Sequence, residues 1–120
     1  MKLTGISFVT VNGIGRLRVK EDSVDFNSGG AERTDHYANQ EFAGFTEKTV
    51  GATLSLTILH ASDVDQVAIR DYVDGEITFE TDTGVVWSIP NAYCKTPPDL
   101  SVAEAELTTE FGGGVATRVA

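Results

Sequence analysis

Apolar and polar positions alternate along most of this chain, the two-residue period of strands whose faces differ in solvent exposure. Ile6, Phe8 and Val9-Thr10-Val11 lead into Asn12-Gly13, a strong hairpin signal, after which Leu17 and Val19 alternate with Arg16, Arg18 and Lys20. Residues 21–41 break the pattern: Val24 and Phe26 are the clear apolar anchors before Tyr37, and Asn27-Ser28-Gly29-Gly30 interrupts them. This stretch is expected to be a long loop or irregular hairpin, of a length that compact domains keep for binding or leave disordered, so it reads either as a contact arm or as a flexible connection. Phe42–Val50 and Ala52–His60 follow as two strands around Gly51; in the second, Leu54, Leu56 and Ile58 oppose Thr53, Ser55 and Thr57.

Ser62 then suits a helix N-cap with Asp65 three residues on, Asp63 and Asp65 suit the positive helix end, and Val64, Val67, Ala68 and Tyr72 keep helical spacing. The spacing predicts a helix over about 62–73. Ile77 and Phe79 alternate with Glu76, Thr78 and Glu80, Asp82-Thr83-Gly84 turns the chain, and Val85, Trp87 and Ile89 return it, with Trp87 expected in the core. Pro90, Pro97 and Pro98 mark an irregular stretch. A last strand sets Ala103, Ala105, Leu107, Thr109 and Phe111 against Glu104, Glu106, Thr108 and Glu110, and the glycines from Gly112 release a short tail at 112–120. The whole reads as one mainly β domain over 1–120, a β-sandwich or partly open barrel of about seven antiparallel strands with one flanking α-helix.

Composition narrows the function. At 120 residues, 41% hydrophobic and 22% charged, the chain is globular in type, and no apolar run approaches the roughly 18 residues of a membrane span, so no membrane anchor is expected. The first residues lack the apolar region of a secretory signal, which points to assembly in a cytoplasm. Residues 1–20 carry Lys2, Arg16, Arg18 and Lys20 and no acid, while the other hundred carry five basic and eighteen acidic residues. A surface this acidic disfavours tight nucleic-acid binding, since counterion release needs a basic footprint. It does not exclude a protein that DNA merely passes, and the net charge by itself mostly signals solubility.

Catalytic signals are weak. Asp82-Thr83-Gly84 matches the aspartic-protease tripeptide, but Glu80-Thr81 before it and Val85 after it lack the flanks of those enzymes, and a hairpin turn explains it. Gly13-Ile14-Gly15 lacks the third glycine of a dinucleotide fingerprint, and Asp63-Val64-Asp65 lacks the glycine and glutamate of a calcium loop. His36, His60 and the lone Cys94 have no metal-ligand spacing. No catalytic residue, metal or cofactor is expected.

Phe79-Glu80-Thr81-Asp82-Thr83-Gly84-Val85, Asn91-Ala92, Pro97-Pro98-Asp99-Leu100 and Glu106-Leu107 through Phe111-Gly112, in that order and spacing, resemble the tail tube protein of Mu-like contractile-tailed bacteriophages. Gly29-Gly30 followed by Arg33 resembles the glycine pair and basic residue of that family's first half. The resemblance implies the tail-tube fold and a structural virion protein: homo-hexameric rings, made in the bacterial host cytoplasm, stack into the inner tail tube through which DNA is ejected. It also implies tail sheath, baseplate, tape-measure and tail terminator proteins as partners. By analogy of strand order, Glu76, Thr78 and Glu80 would line the lumen, and Glu104, Glu106 and Glu110 would face the sheath. The 21–41 loop with Arg16, Arg18, Lys20, Gly29, Gly30 and Arg33 would join successive rings, the cations meeting Asp63, Asp65 or Asp71 of the next subunit. A type VI-like contractile injection tube and a monomeric ligand-binding sandwich are the alternatives.

Overall fold

The computed structural model describes residues 2–3, 5–20, 23–62 and 64–120. Among the described residues ten strands and one short helix follow one another: β1 (Ser7–Val11), β2 (Gly15–Leu17), β3 (Asp25–Asn27), β4 (Gly30–Ala38), β5 (Glu41–Val50), β6 (Thr53–Leu59), α1 (Gln66–Arg70), β7 (Gly75–Thr81), β8 (Val86–Ser101), β9 (Glu106–Gly112) and β10 (Thr117–Arg118). Eight of the strands form one sheet in the order β2-β1-β7-β8-β9-β6-β3, with β10 beside β8; β4 and β5 pair only with each other. All the pairings are antiparallel.

The long strand β8 organises the body. Its first half pairs with β7 and its second half with β9, so the sheet folds over on itself along this strand. Val9, Val11, Ile77, Phe79 and Ile89 from one half meet Leu54, Leu56, Ile58, Leu107 and Phe111 from the other, and Ile69 of α1 joins them. On the open side, the Lys20 N–H donates to the Thr57 carbonyl and the Leu59 N–H to that of Arg18, each at 2.8 Å, so the chain leaving β2 closes onto β6. The result is the partly open barrel that the alternation implies. Trp87 is half-buried at its margin, packed with Phe79 around Phe26.

Several elements differ from the reading of the sequence, each for a local reason. The helix is five residues long, because the Asp65 carboxylate takes the Ala68 N–H at 3.0 Å and makes Asp65, not Ser62, the N-cap. At the other end the Tyr72 carbonyl accepts from Cys94 N–H at 2.9 Å instead of continuing the helix. The predicted irregular stretch around the prolines is part of β8: register shifts fall between Cys94 and Asp99, where Pro97 and Pro98 lie and the ladder asks for no N–H. The last strand begins at Glu106, since Ala105 has φ +54 and residues 102–105 form the preceding turn. The tail does not hang free; Thr117 and Arg118 pair with Ser88 and Trp87, and Ala116 is buried.

The largest difference concerns residues 30–50. Phe42–Val50 does not pair with the following strand but with β4, and β6 instead lies between β9 and β3. The contact loop expected at 21–41, of which Glu21 and Asp22 lie outside the described residues, is therefore β3 plus the outgoing strand of a hairpin arm. Nine residues at about 3.4 Å each make an arm roughly 30 Å long. It accounts for a molecule 62 Å along one axis and only 36 and 28 Å along the others.

Candidate assembly surfaces

The arm leaves the body through a junction with no room for side chains. Gly29 has φ +74, and a Cβ there would sit 2.5 Å from the Val50 carbonyl oxygen and 2.8 Å from the Ala52 nitrogen. A Cβ on Gly51 would collide with the Gly113 carbonyl. Backbones thus touch directly where the arm's two strands enter and leave, which sets the arm's direction. At the tip, Asn39 and Gln40 have φ +53 and +66, the paired left-handed residues of a tight hairpin turn.

The register sorts the arm into two faces, because directly paired residues project to the same side. Arg33 with Glu47, Asp35 with Phe45 and Tyr37 with Phe42 form one; Glu32 with Lys48, Thr34 with Thr46 and His36 with Gly44 form the other. On the first, Arg33 pairs with Glu47 at 3.0 Å and its guanidinium lies 6.0 Å from the Phe45 ring centre, and Tyr37 meets Phe42 edge to face at 5.6 Å. Tyr37, Phe42 and Phe45 are 66%, 59% and 54% exposed. A lone two-stranded ribbon is marginal in water, and three aromatics held out on one make an exposed apolar patch of the kind that marks contact surfaces. The sequence reading places a contact element here but does not assign these aromatics to it; Tyr37 follows Arg33 and Asp35 at two-residue spacing, on the same strand face, and that was the available signal.

The two proposed carboxylate sets lie on outer faces of different halves of the folded sheet. Glu76, Thr78 and Glu80 project from β7 opposite buried Ile77 and Phe79, and the Ser88 hydroxyl donates to Glu76 at 2.9 Å. Glu106 and Glu110 project from β9 opposite buried Leu107, Thr109 and Phe111, while Glu104 sits in the turn before the strand. Glu106 pairs with Lys20. The Lys20 hydrogen bond holds the Glu106 carboxyl below the usual range, and the same bond raises the Lys20 ammonium above its own. One residue proposed for ring stacking and one proposed for the sheath thus bind each other within the chain.

Arg16 lies on the outer face of the first half, its guanidinium 4.2 Å from the centre of the Phe8 ring. Arg16, Arg18 and Asp65 line one depression between β2 and α1. The acids offered as their partners on a next subunit have other duties: Asp65 caps α1, Asp71 pairs with Arg70 at 3.1 Å, and Asp63 lies outside the described residues. Asp82 of the protease-like tripeptide anchors the start of the chain, accepting from Gly5 N–H at 3.4 Å and pairing with Lys2 at 3.5 Å. The Cys94 thiol donates to the Thr96 carbonyl at 3.1 Å, and the described residues bring no three metal-ligating side chains together.

Comparison with known proteins gives this architecture relatives. The family described as phage tail tube protein matches residues 1–118. The Mu-like prophage FluMu tail tube protein of Haemophilus influenzae (strain ATCC 51907 / DSM 11121 / KW20 / Rd) is 29% identical over 73 residues, which span 61% of this chain and 61% of that protein. Among solved structures, the anti-feeding prophage cap (tube terminating cap) superposes with a TM-score of 0.67 at 12% identity, covering 98% of this chain and 90% of its own. The sheath/tube terminator of an extracellular contractile injection system gives 0.64 at 12% identity, covering 95% and 93%. That system's sheath-tube complex gives 0.62 at 12%, covering 95% and 88%. At such identity the likeness is one of fold.

Proposed function

Since the chain belongs to the phage tail tube protein family, a structural and not an enzymatic one, we propose that six copies close side by side into a ring and that rings stack into the inner tail tube, the conduit for DNA ejection. The observation that carries this reading is the arm, an amphipathic ribbon about as long as the body is wide whose aromatic face is left exposed among the described residues. A head-to-tail contact that closes by rotation gives a ring, and an element projecting beyond the body joins one ring to the next.

In this reading Glu76, Thr78 and Glu80 line the bore, where repeated carboxylates repel phosphates and keep DNA from adhering. Glu106 and Glu110, with Glu104 at the neighbouring turn, look outward to the sheath. Gly29 and Gly30 set the arm's exit, Arg33 stiffens its aromatic face, and Arg16, Arg18 and Lys20 form the basic border of the body. Sheath, baseplate, tape-measure and tail terminator proteins complete the particle in the virion tail, after assembly in the host cytoplasm. The fold likeness to an injection-system tube and its terminators supports a second reading, a tube delivering protein cargo. Sedimentation and negative-stain imaging of the concentrated protein test the proposal. Sixfold annuli and cylinders are expected, and a monomer at every concentration overturns it. Recovery of the protein from particles that package DNA separates the first reading from the second.

A further inference from the structure

One row of outward side chains crosses the first half of the folded sheet. Arg16 stands opposite Thr10, Thr10 opposite Thr78, Thr78 opposite Ser88 and Ser88 opposite Thr117, so the row runs through β2, β1, β7, β8 and β10. Directly paired residues project to the same side. The row therefore belongs to the face of Glu76 and Glu80, which flank Thr78 at two-residue spacing on β7. Phe8 stands on that face too, opposite Glu80. Hydroxyls fill the row from Thr10 to Thr117, and its one charge is the Arg16 guanidinium at the β2 end.

Arg16 is held in place and left unneutralised. Its guanidinium lies 4.2 Å from the centre of the exposed Phe8 ring, and it makes no ion pair among the described residues. An aromatic face holds an arginine without cancelling its charge, and the N–H donors stay free for a second partner. The planar guanidinium fork suits phosphate oxygens, which it meets two at a time. Strand β1 separates β2 from β7, so the strand of Glu76 and Glu80 runs roughly 10 Å away across the sheet. At that spacing two carboxylates weaken the pull of the cation on an anion without occupying it.

We propose that Arg16 is a phosphate contact of the bore, masked by Glu76 and Glu80 of its own face, and not a link between rings. This rests on the reading of that face as the bore lining and gives the lining a ring of cations beside its acids. One guanidinium against two carboxylates leaves the face negative, so DNA passes; neutralising the acids uncovers the cation.

The first test removes the mask. Tubes of Glu76→Gln with Glu80→Gln are expected to co-sediment double-stranded DNA at about 50 mM salt and to release it by about 200 mM, since a ring of about six phosphate contacts loses at least about a thousandfold in affinity over that range. Adding Arg16→Gln is expected to abolish the binding. Glutamine tubes that take up no DNA, or triple-variant tubes that still hold it, overturn Arg16 as the contact. Tubes carrying Glu76→Lys with Glu80→Lys judge the bore reading separately: DNA held by these but not by the glutamine tubes leaves the bore in place, and DNA held by neither overturns both. If Arg16→Gln alone prevents tube formation while its circular dichroism matches the parent, Arg16 is an assembly contact and the proposal is wrong.

Thiol labelling then locates the side chain in the assembled tube. On a Cys94→Ser background, Arg16→Cys and Glu76→Cys are expected to react with a small maleimide and not with one carried on a particle too wide to enter the bore. Arg16→Cys reached by the particle, or by neither reagent, overturns the proposal. Glu76→Cys reached by the particle overturns the bore reading on which it stands.

Discussion

At the residue scale the arm junction and the Lys20–Glu106 pair make separate predictions. Gly29 needs both its positive φ and its missing side chain, whereas Gly84, at φ +93, has open space where a Cβ would go. Gly29→Ala should cost about 2–3 kcal/mol and Gly84→Ala about 1, because only the first adds a backbone collision to the left-handed strain. Urea unfolding followed by Trp87 fluorescence measures both, and equal costs would contradict the packed junction. Glu106 has its folded pKa lowered by Lys20, so its contribution to stability is present above the ordinary carboxylate value and lost as pH falls through the depressed one. Lys20 has its folded pKa raised by Glu106, so its contribution is present below the ordinary lysine value and lost as pH rises through the raised one. Melting temperatures of the parent and Glu106→Gln should therefore differ most near neutrality and converge in strong acid and strong alkali. A pH-independent difference would mean that Glu106 acts by packing alone.

At the element scale the arm and the body are energetically separate. Among the described residues every core side chain comes from outside β4 and β5, and those strands pair with no other element. Replacing residues 31–49 by a two-residue Asn-Gly turn should leave stability within about 1 kcal/mol, a few degrees in melting temperature, while abolishing assembly. A large drop in melting temperature would show that the arm braces its own body. Strand β8 is the opposite case: it serves both halves of the sheet, changing partner between Ala92 and Tyr93, and Pro97 and Pro98 occupy a register shift within the part that pairs with β9. The proline pair therefore marks a bend within a strand and not the end of one. The Asn39-Gln40 turn was hard to see in the sequence because it lacks the glycine that usually announces two left-handed residues in succession.

At the scale of the whole molecule, polarity is divided by surface. The outer face carrying Glu76 and Glu80 is polar and the outer face carrying Glu110 is joined to the basic border through Lys20 and Glu106. If the β7 face lines the bore, tubes carrying Glu76→Lys with Glu80→Lys should retain double-stranded DNA at about 50 mM salt and release it by about 200 mM, as counterion release requires. Parent tubes should retain none at either salt. Co-sedimentation reads the difference, and variant tubes that remain free of DNA would move the bore to another face.

Alternation alone decided which side chains turn inward: Leu54, Leu56 and Ile58, Ile77 and Phe79, and Leu107 and Phe111 are buried where the pattern puts them. Turn residues and capping signals, equally local, decided the hairpin at Asn12-Gly13, the turn at Asp82-Thr83-Gly84 and the place of the helix within 62–73. These are local properties, since the pleat sends neighbours to opposite faces whatever strand lies alongside. Partnership between distant segments is not local. Only the tertiary structure decided that β5 pairs back onto β4, that β8 bridges two half-sheets, that the tail returns to Ser88 and Trp87, and that Lys20 reaches Glu106. The arm shows the reason most plainly: neither face of β4 and β5 is buried among the described residues, so the pattern that locates a core elsewhere could not say which way these strands turn or what they meet.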